Sequence, residues 1–188
     1  TAVLGGYKNK TEGNYSSVAG GRENTAAGPY NIVAGGSFNT SSGDHASIGG
    51  GQENNASGNH SSIAGGHNNE AIAQYASVAG GQLNTGSGVH SSLGGGSSNI
   101  ASGSHSTISG GDSNIVDGNN SNIGGGGNNK SSGDYASISG GQSNTAAANY
   151  SNISGGLQNY ASGMYSSVAG GRNNTAAGDY GTILGGLN

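Results

Sequence analysis

The chain has 188 residues, 42 of them glycine, with 7% charged and 30% hydrophobic residues, one proline, no cysteine and a formal net charge of −4. The missing cysteine excludes a disulfide framework and a thiolate metal or redox site. Five Lys and Arg against nine Asp and Glu make no basic stripe for nucleic acid. Low hydrophobicity suits disorder, but the scarcity of proline and charge argues against it, and no run approaches the roughly 18 apolar residues of a membrane span.

A Gly-Gly pair begins at residue 5 and returns at every fifteenth residue through Gly185, thirteen times without insertion or deletion. Residues are therefore best placed by phase within the fifteen, with Tyr15 as phase zero. That phase holds Tyr15, Tyr30, His45, His60, Tyr75, His90, His105, Asn120, Tyr135, Tyr150, Tyr165 and Tyr180. Phases one and two are mostly Ser, Ala, Thr or Asn. Phase three is always aliphatic, from Val3 through Val18, Val33, Ile48, Ile63, Val78, Leu93, Ile108, Ile123, Ile138, Ile153, Val168 and Ile183, and these form the expected core. Phase four is small except for Leu4 and Leu184.

The Gly-Gly corner follows, then two variable positions, then an asparagine in every copy: Asn9, Asn24, Asn39, Asn54, Asn69, Asn84, Asn99, Asn114, Asn129, Asn144, Asn159 and Asn174. Stacked amides can bond to the turns on either side, and Asn tolerates the left-handed backbone, so these read as a structural ladder. Phases ten to twelve are mainly Thr, Ala and Ser, and phase thirteen is Gly except at Ala73 and Ala148.

One strongly apolar residue per fifteen is too sparse for an amphipathic helix, whereas Ser, Thr, Val and Ile between glycine corners suit strands. Two strands of about four or five residues per repeat predict one rung of a β-solenoid. Stacking at about 4.8 Å makes a rod on the order of 60 Å long. Alternation puts phases one and three on one face of the first strand and phases zero, two and four on the other. Which face lines the coil is open at this point. A single aliphatic residue per turn makes a thin core against the entropy of ordering the backbone, so self-association is expected.

The repeat resembles the head domain of the YadA-type trimeric autotransporter adhesins, through Ser-Val-Ala-Gly-Gly at Ser17 to Gly21, Ser77 to Gly81 and Ser167 to Gly171. The likeness extends over the whole chain. The typical YadA repeat is fourteen residues with two aliphatic residues before one glycine. The spacing Ala-Ser-Gly-x-Tyr-Ser-Ser-Val-Ala-Gly-Gly at Ala161 to Gly171 is closer to the head repeats of the Moraxella ubiquitous surface protein A adhesins. The resemblance implies a left-handed parallel β-roll of about 12 repeats, assembled as a homotrimer on the outer surface of a Gram-negative bacterium. It also implies a host matrix protein such as fibronectin or laminin, or a host receptor, as partner. Residues 1–188 are then one repeat domain, the head segment of a longer protein whose stalk and membrane anchor lie outside it, with no membrane insertion by this segment. The shared positions are scaffold positions, so no ligand-binding residue carries over.

Candidate sites beyond the scaffold are few. His45 with His60 and His90 with His105 occupy successive turns, but His alternates with Tyr there, which reads as a planar side chain in a stacking slot rather than a metal ligand. The nine acids are scattered through turns without a repeated pair suited to acid and base work, so no catalytic residue, cofactor or metal is expected and the chain is read as non-enzymatic. Ligand contact is expected at variable turn positions, with Arg22, Glu23, Phe38 and Arg172 as candidates. Two rival readings share the solenoid: a trimeric phage tail-fibre segment, and an ice-binding solenoid. The threonine row at phase ten is broken by Asn55, Glu70, Ile100, Ile115, Lys130 and Tyr160, which disfavours ice.

Overall fold

The computed structural model describes residues 1–187 as an all-β solenoid of parallel strands, with about 12 turns of about 15 residues. It divides into two compact units, Thr1–Gly96 and Ser97–Asn188. In the first unit, one ladder runs Ala2–Val3, Ser17–Val18, Ile32–Val33, Ser47–Ile48, Ser62–Ile63, Ser77–Val78 and Ser92–Leu93. Each strand pairs in parallel with the one fifteen residues on, as in Val18 to Val33. A second ladder runs from Lys10–Thr11 to Thr85–Gly86 in the same register. The second unit repeats the plan, with ladders from Thr107–Ile108 to Thr182–Ile183 and from Ile100–Ala101 to Thr175–Ala176.

Each strand is two residues long, shorter than the four or five expected. The reason lies in the corners. Phase zero is left-handed in every copy, for example Tyr15 at φ 60° and His45 at φ 55°, and so is phase eight in every described copy, for example Glu23 at φ 54°. The asparagine of phase nine is not left-handed, so apart from the corner glycines the left-handed positions fall on residues that carry a Cβ. A left-handed L-residue costs on the order of 1 kcal/mol, and here its amide is held by the preceding turn. Tyr30 N–H donates to Asn14 O at 2.8 Å and Glu23 N–H to Tyr7 O at 2.8 Å. A third contact row, of single parallel bridges at phase seven such as Arg22 to Ser37, closes each rung between the two strands.

The open question about faces is settled by burial. Phase three points into the coil: Val18, Val33, Ile108 and Ile123 are fully buried. Phase one lies beside it, as in Ser16, Ala46, Ala76 and Ala136. From across the coil come the asparagines and phase eleven, where Ala26, Ala56, Ala71, Ala101 and Val116 are also fully buried. The Tyr and His of phase zero stand outside.

Size is matched across this narrow interior. Leu93 is the one leucine at phase three and Gly86 the one glycine at phase eleven. A Cβ on residue 86 would sit 3.2 Å from Leu93 Cδ1 and 3.1 Å from Ser91 Oγ, so the longer leucine takes up the space that alanine fills in other rungs.

Candidate functional site

The asparagine ladder uses the full bonding capacity of its amides. Asn24 Nδ2 donates to Gly20 O at 3.1 Å and to Gly36 O at 2.9 Å, and Asn24 Oδ1 accepts the backbone N–H of Asn39 at 3.0 Å. In the second unit Asn144 does the same, with Gly140 O at 3.1 Å, Gly156 O at 3.0 Å and Asn159 N–H at 2.9 Å. These side chains are buried, so they hold corners and are closed to a ligand.

The second glycine of the pair explains why that corner cannot vary. Gly21 has φ 92°, and a Cβ there would meet Gly36 O at 2.2 Å and Asn24 Nδ2 at 2.6 Å. The first glycine, Gly20, would meet nothing within 4 Å and lies outside the left-handed region.

Beyond this corner the chain turns outward at phases seven and eight. Three of the four candidate contact residues meet there in the first unit. The Arg22 guanidinium lies 5.3 Å from the centroid of the Phe38 ring, and Arg22 Nε is 3.3 Å from Glu23 Oε1. The Phe38 N–H donates to Arg22 O at 3.0 Å, which fixes the two turns relative to each other. Phe38 is 40% exposed. The strip continues with Lys8 5.2 Å from the Tyr7 ring and with His67 Nε2 3.7 Å from Glu53 Oε2. Sequence reasoning passed over Lys8, Glu53 and His67, although their shared phases with Arg22 and Glu23 were the available signal. Arg172 occupies phase seven in the second unit, bridged by backbone to Leu157 and Leu187, and belongs to a separate part of the strip.

The aromatic slot is filled by parallel rings. In the first unit Tyr15, Tyr30, His45, His60, Tyr75 and His90 stack in succession with centroids 4.5 to 5.1 Å apart. His45 Nδ1 also lies 2.8 Å from Asp44 Oδ1. Stacked imidazoles present their edges side by side at the strand spacing and do not converge on one point between them, which is the wrong arrangement for chelation. Among the described residues no group of three or more His, Asp or Glu is placed to hold a metal ion.

The outer side of the first-strand ladder forms an open groove of about 410 Å³, lined by Ile32, Ala34, Ser47, Gly49, Ser62, Ala64, Ser77 and Ala79 together with Ile48, Ile63 and Val78. No protein-family model matches the chain, and no curated protein matches it.

The groove is mainly apolar, with small residues between its branched ones, suited to close packing of another flat surface. The strip carries both signs of charge plus aromatic rings on a hydrogen-bonded backbone, suited to contact with a macromolecular surface.

Proposed function

We propose that this chain is the head segment of a non-enzymatic bacterial surface adhesin. In this reading it is a left-handed β-roll that assembles as a homotrimer and lies outside the cell, tethered by regions beyond residues 1–188. It binds a host extracellular-matrix protein such as fibronectin or laminin, or a host receptor. The observation that carries the reading is the division of labour within each turn. Phases three, six and nine repeat almost without change, while phases seven and eight in the first unit display Lys8, Arg22, Glu23, Phe38, Glu53 and His67 on the same rigid frame.

Two further observations support it. The repeat motif at Ser17 to Gly21 resembles that adhesin family, and the groove around Ser47, Gly49, Ser62 and Ala64 gives each chain a smooth apolar face for its copies. A frame set by backbone ladders loses little entropy when its corner side chains engage a partner, which favours affinity.

The test is surface plasmon resonance on immobilised fibronectin, immobilised laminin and host-cell membranes. At least one should bind the chain, and Arg22→Ala with Phe38→Ala should weaken that binding by about tenfold or more, ~1.4 kcal/mol, as loss of an aromatic and arginine contact does. The melting temperature should stay that of the parent, since both side chains are exposed. A folded chain that binds none of the three surfaces contradicts the proposal.

A further inference from the structure

The aromatic slot differs between the two units in one chemical respect. In the second unit four tyrosines follow one another: Tyr135 and Tyr150 at 5.0 Å between centroids, Tyr150 and Tyr165 at 4.8 Å, Tyr165 and Tyr180 at 5.0 Å, with ring planes within 2°, 10° and 7° of parallel. All four are exposed, Tyr180 most of all at 73%. In the first unit only Tyr15 and Tyr30 are neighbours, at 5.1 Å. Tyr75 sits between His60 at 4.9 Å and His90 at 4.6 Å, without a phenol on either side.

We propose that the Tyr135, Tyr150, Tyr165 and Tyr180 ladder is a site of oxidative tyrosine coupling, a modification that staples successive turns of the solenoid under peroxide and a haem peroxidase. The enzyme and hydrogen peroxide take one electron and the phenolic proton from each of two neighbouring rings. The two phenoxyl radicals join through their ortho carbons, forming one C–C bond. The hydrogens on those two carbons then move to the two oxygens, which restores both phenols. The protein loses two hydrogens in all, and the peroxide is reduced to two waters. Neither ring has to be found by diffusion, because its partner is held one strand spacing away at a high effective concentration. Exposure supplies both contact with the oxidant and the room for two rings to tilt together. The staple links residues fifteen apart and so restricts the unfolded chain more than the folded one.

This inference does not depend on what the corner strip binds. The experiment starts from the full chain carrying Tyr30→Phe, which removes the first-unit pair while keeping the stacked ring. Two variants are then made with equal numbers of phenols. Tyr135→Phe with Tyr180→Phe leaves Tyr150 and Tyr165 as neighbours, whereas Tyr150→Phe with Tyr180→Phe leaves Tyr135 and Tyr165 two turns apart.

Both are treated with dilute hydrogen peroxide and a haem peroxidase, and dityrosine is read by its fluorescence and by mass spectrometry of the denatured chain. The neighbour-keeping variant should form dityrosine at single-chain mass, two hydrogens lighter, with a raised melting temperature. The separated variant should form less by at least about tenfold, the advantage of a held partner over a chance encounter. Equal yields in the two variants overturn the proposal, as do products made only of hydroxylated single tyrosines or of chain-to-chain dimers.

Discussion

Gly20 and Gly21 are adjacent and chemically identical, yet the fold asks different things of them. Gly21 is left-handed at φ 92° with Gly36 O 2.2 Å from where a Cβ would sit, whereas nothing lies within 4 Å of a Cβ on Gly20. Gly21→Ala should therefore lower stability by several kcal/mol, through a backbone clash added to the ~1 kcal/mol cost of the left-handed conformation. Gly20→Ala should leave the thermal midpoint within a few degrees, and calorimetry of the two variants checks the contrast. Asn114 belongs to the same corner system. Its Nδ2 donates to Gly110 O at 3.2 Å and to Gly126 O at 3.0 Å, and its Oδ1 accepts from Asn129 N–H at 3.0 Å. Asn114→Ala strands these buried groups, and unsatisfied buried groups cost about 1–3 kcal/mol each before relaxation. A fall of about 2–4 kcal/mol in urea unfolding is expected, and an unchanged urea midpoint would show that the ladder adds nothing beyond its backbone.

At the scale of one rung, two strands of two residues and a single bridged position enclose a core with one aliphatic residue at phase three and a mostly small residue at phase eleven. So narrow an interior has to balance volume rung by rung. Gly86→Ala alone should be unfavourable beside Leu93, and the same change in a Leu93→Val background should be neutral or favourable. The double-mutant cycle should give a coupling of about 0.5–1.5 kcal/mol; additivity would mean that residues 86 and 93 do not share space. The aliphatic row could be read from the letters because Val, Ile or Leu recurs there without exception. Phase eleven could not, since Ala, Ser and Gly look like turn residues until the coil shows them facing inward, as Ala26 and Ala56 do. Strand length was hidden for a related reason. Apart from the corner glycines and a few asparagines such as Asn68 and Asn120, the left-handed positions fall on residues such as Tyr, His, Glu and Ser, whose letters carry no left-handed signal, and they are held by rung-to-rung bonds such as Tyr30 N–H to Asn14 O. The candidate corner was partly legible: Arg22, Glu23 and Phe38 share two phases, but their clustering depends on neighbouring turns lying one strand spacing apart.

For the whole molecule, the thin core and the long outer face belong to one problem. From Val18 to Val168 phase three provides one well-buried aliphatic side chain per turn, whereas Val3 is 44% exposed and Ile183 half-buried in the terminal turns; Ile32 is 52% exposed on the opposite side of the strand that buries Val33, at the rim of the apolar groove. Association of like chains through such faces buries what a single coil leaves wet, and closed symmetry does so without an open-ended stack. The adhesin reading depends on it, because a rigid head needs more than one thin coil. Sedimentation equilibrium of the purified chain at micromolar concentration tests this most directly. The account predicts one species at three times the chain mass of 17.9 kDa, with strand-rich circular dichroism. A folded, strand-rich monomer at 17.9 kDa contradicts it.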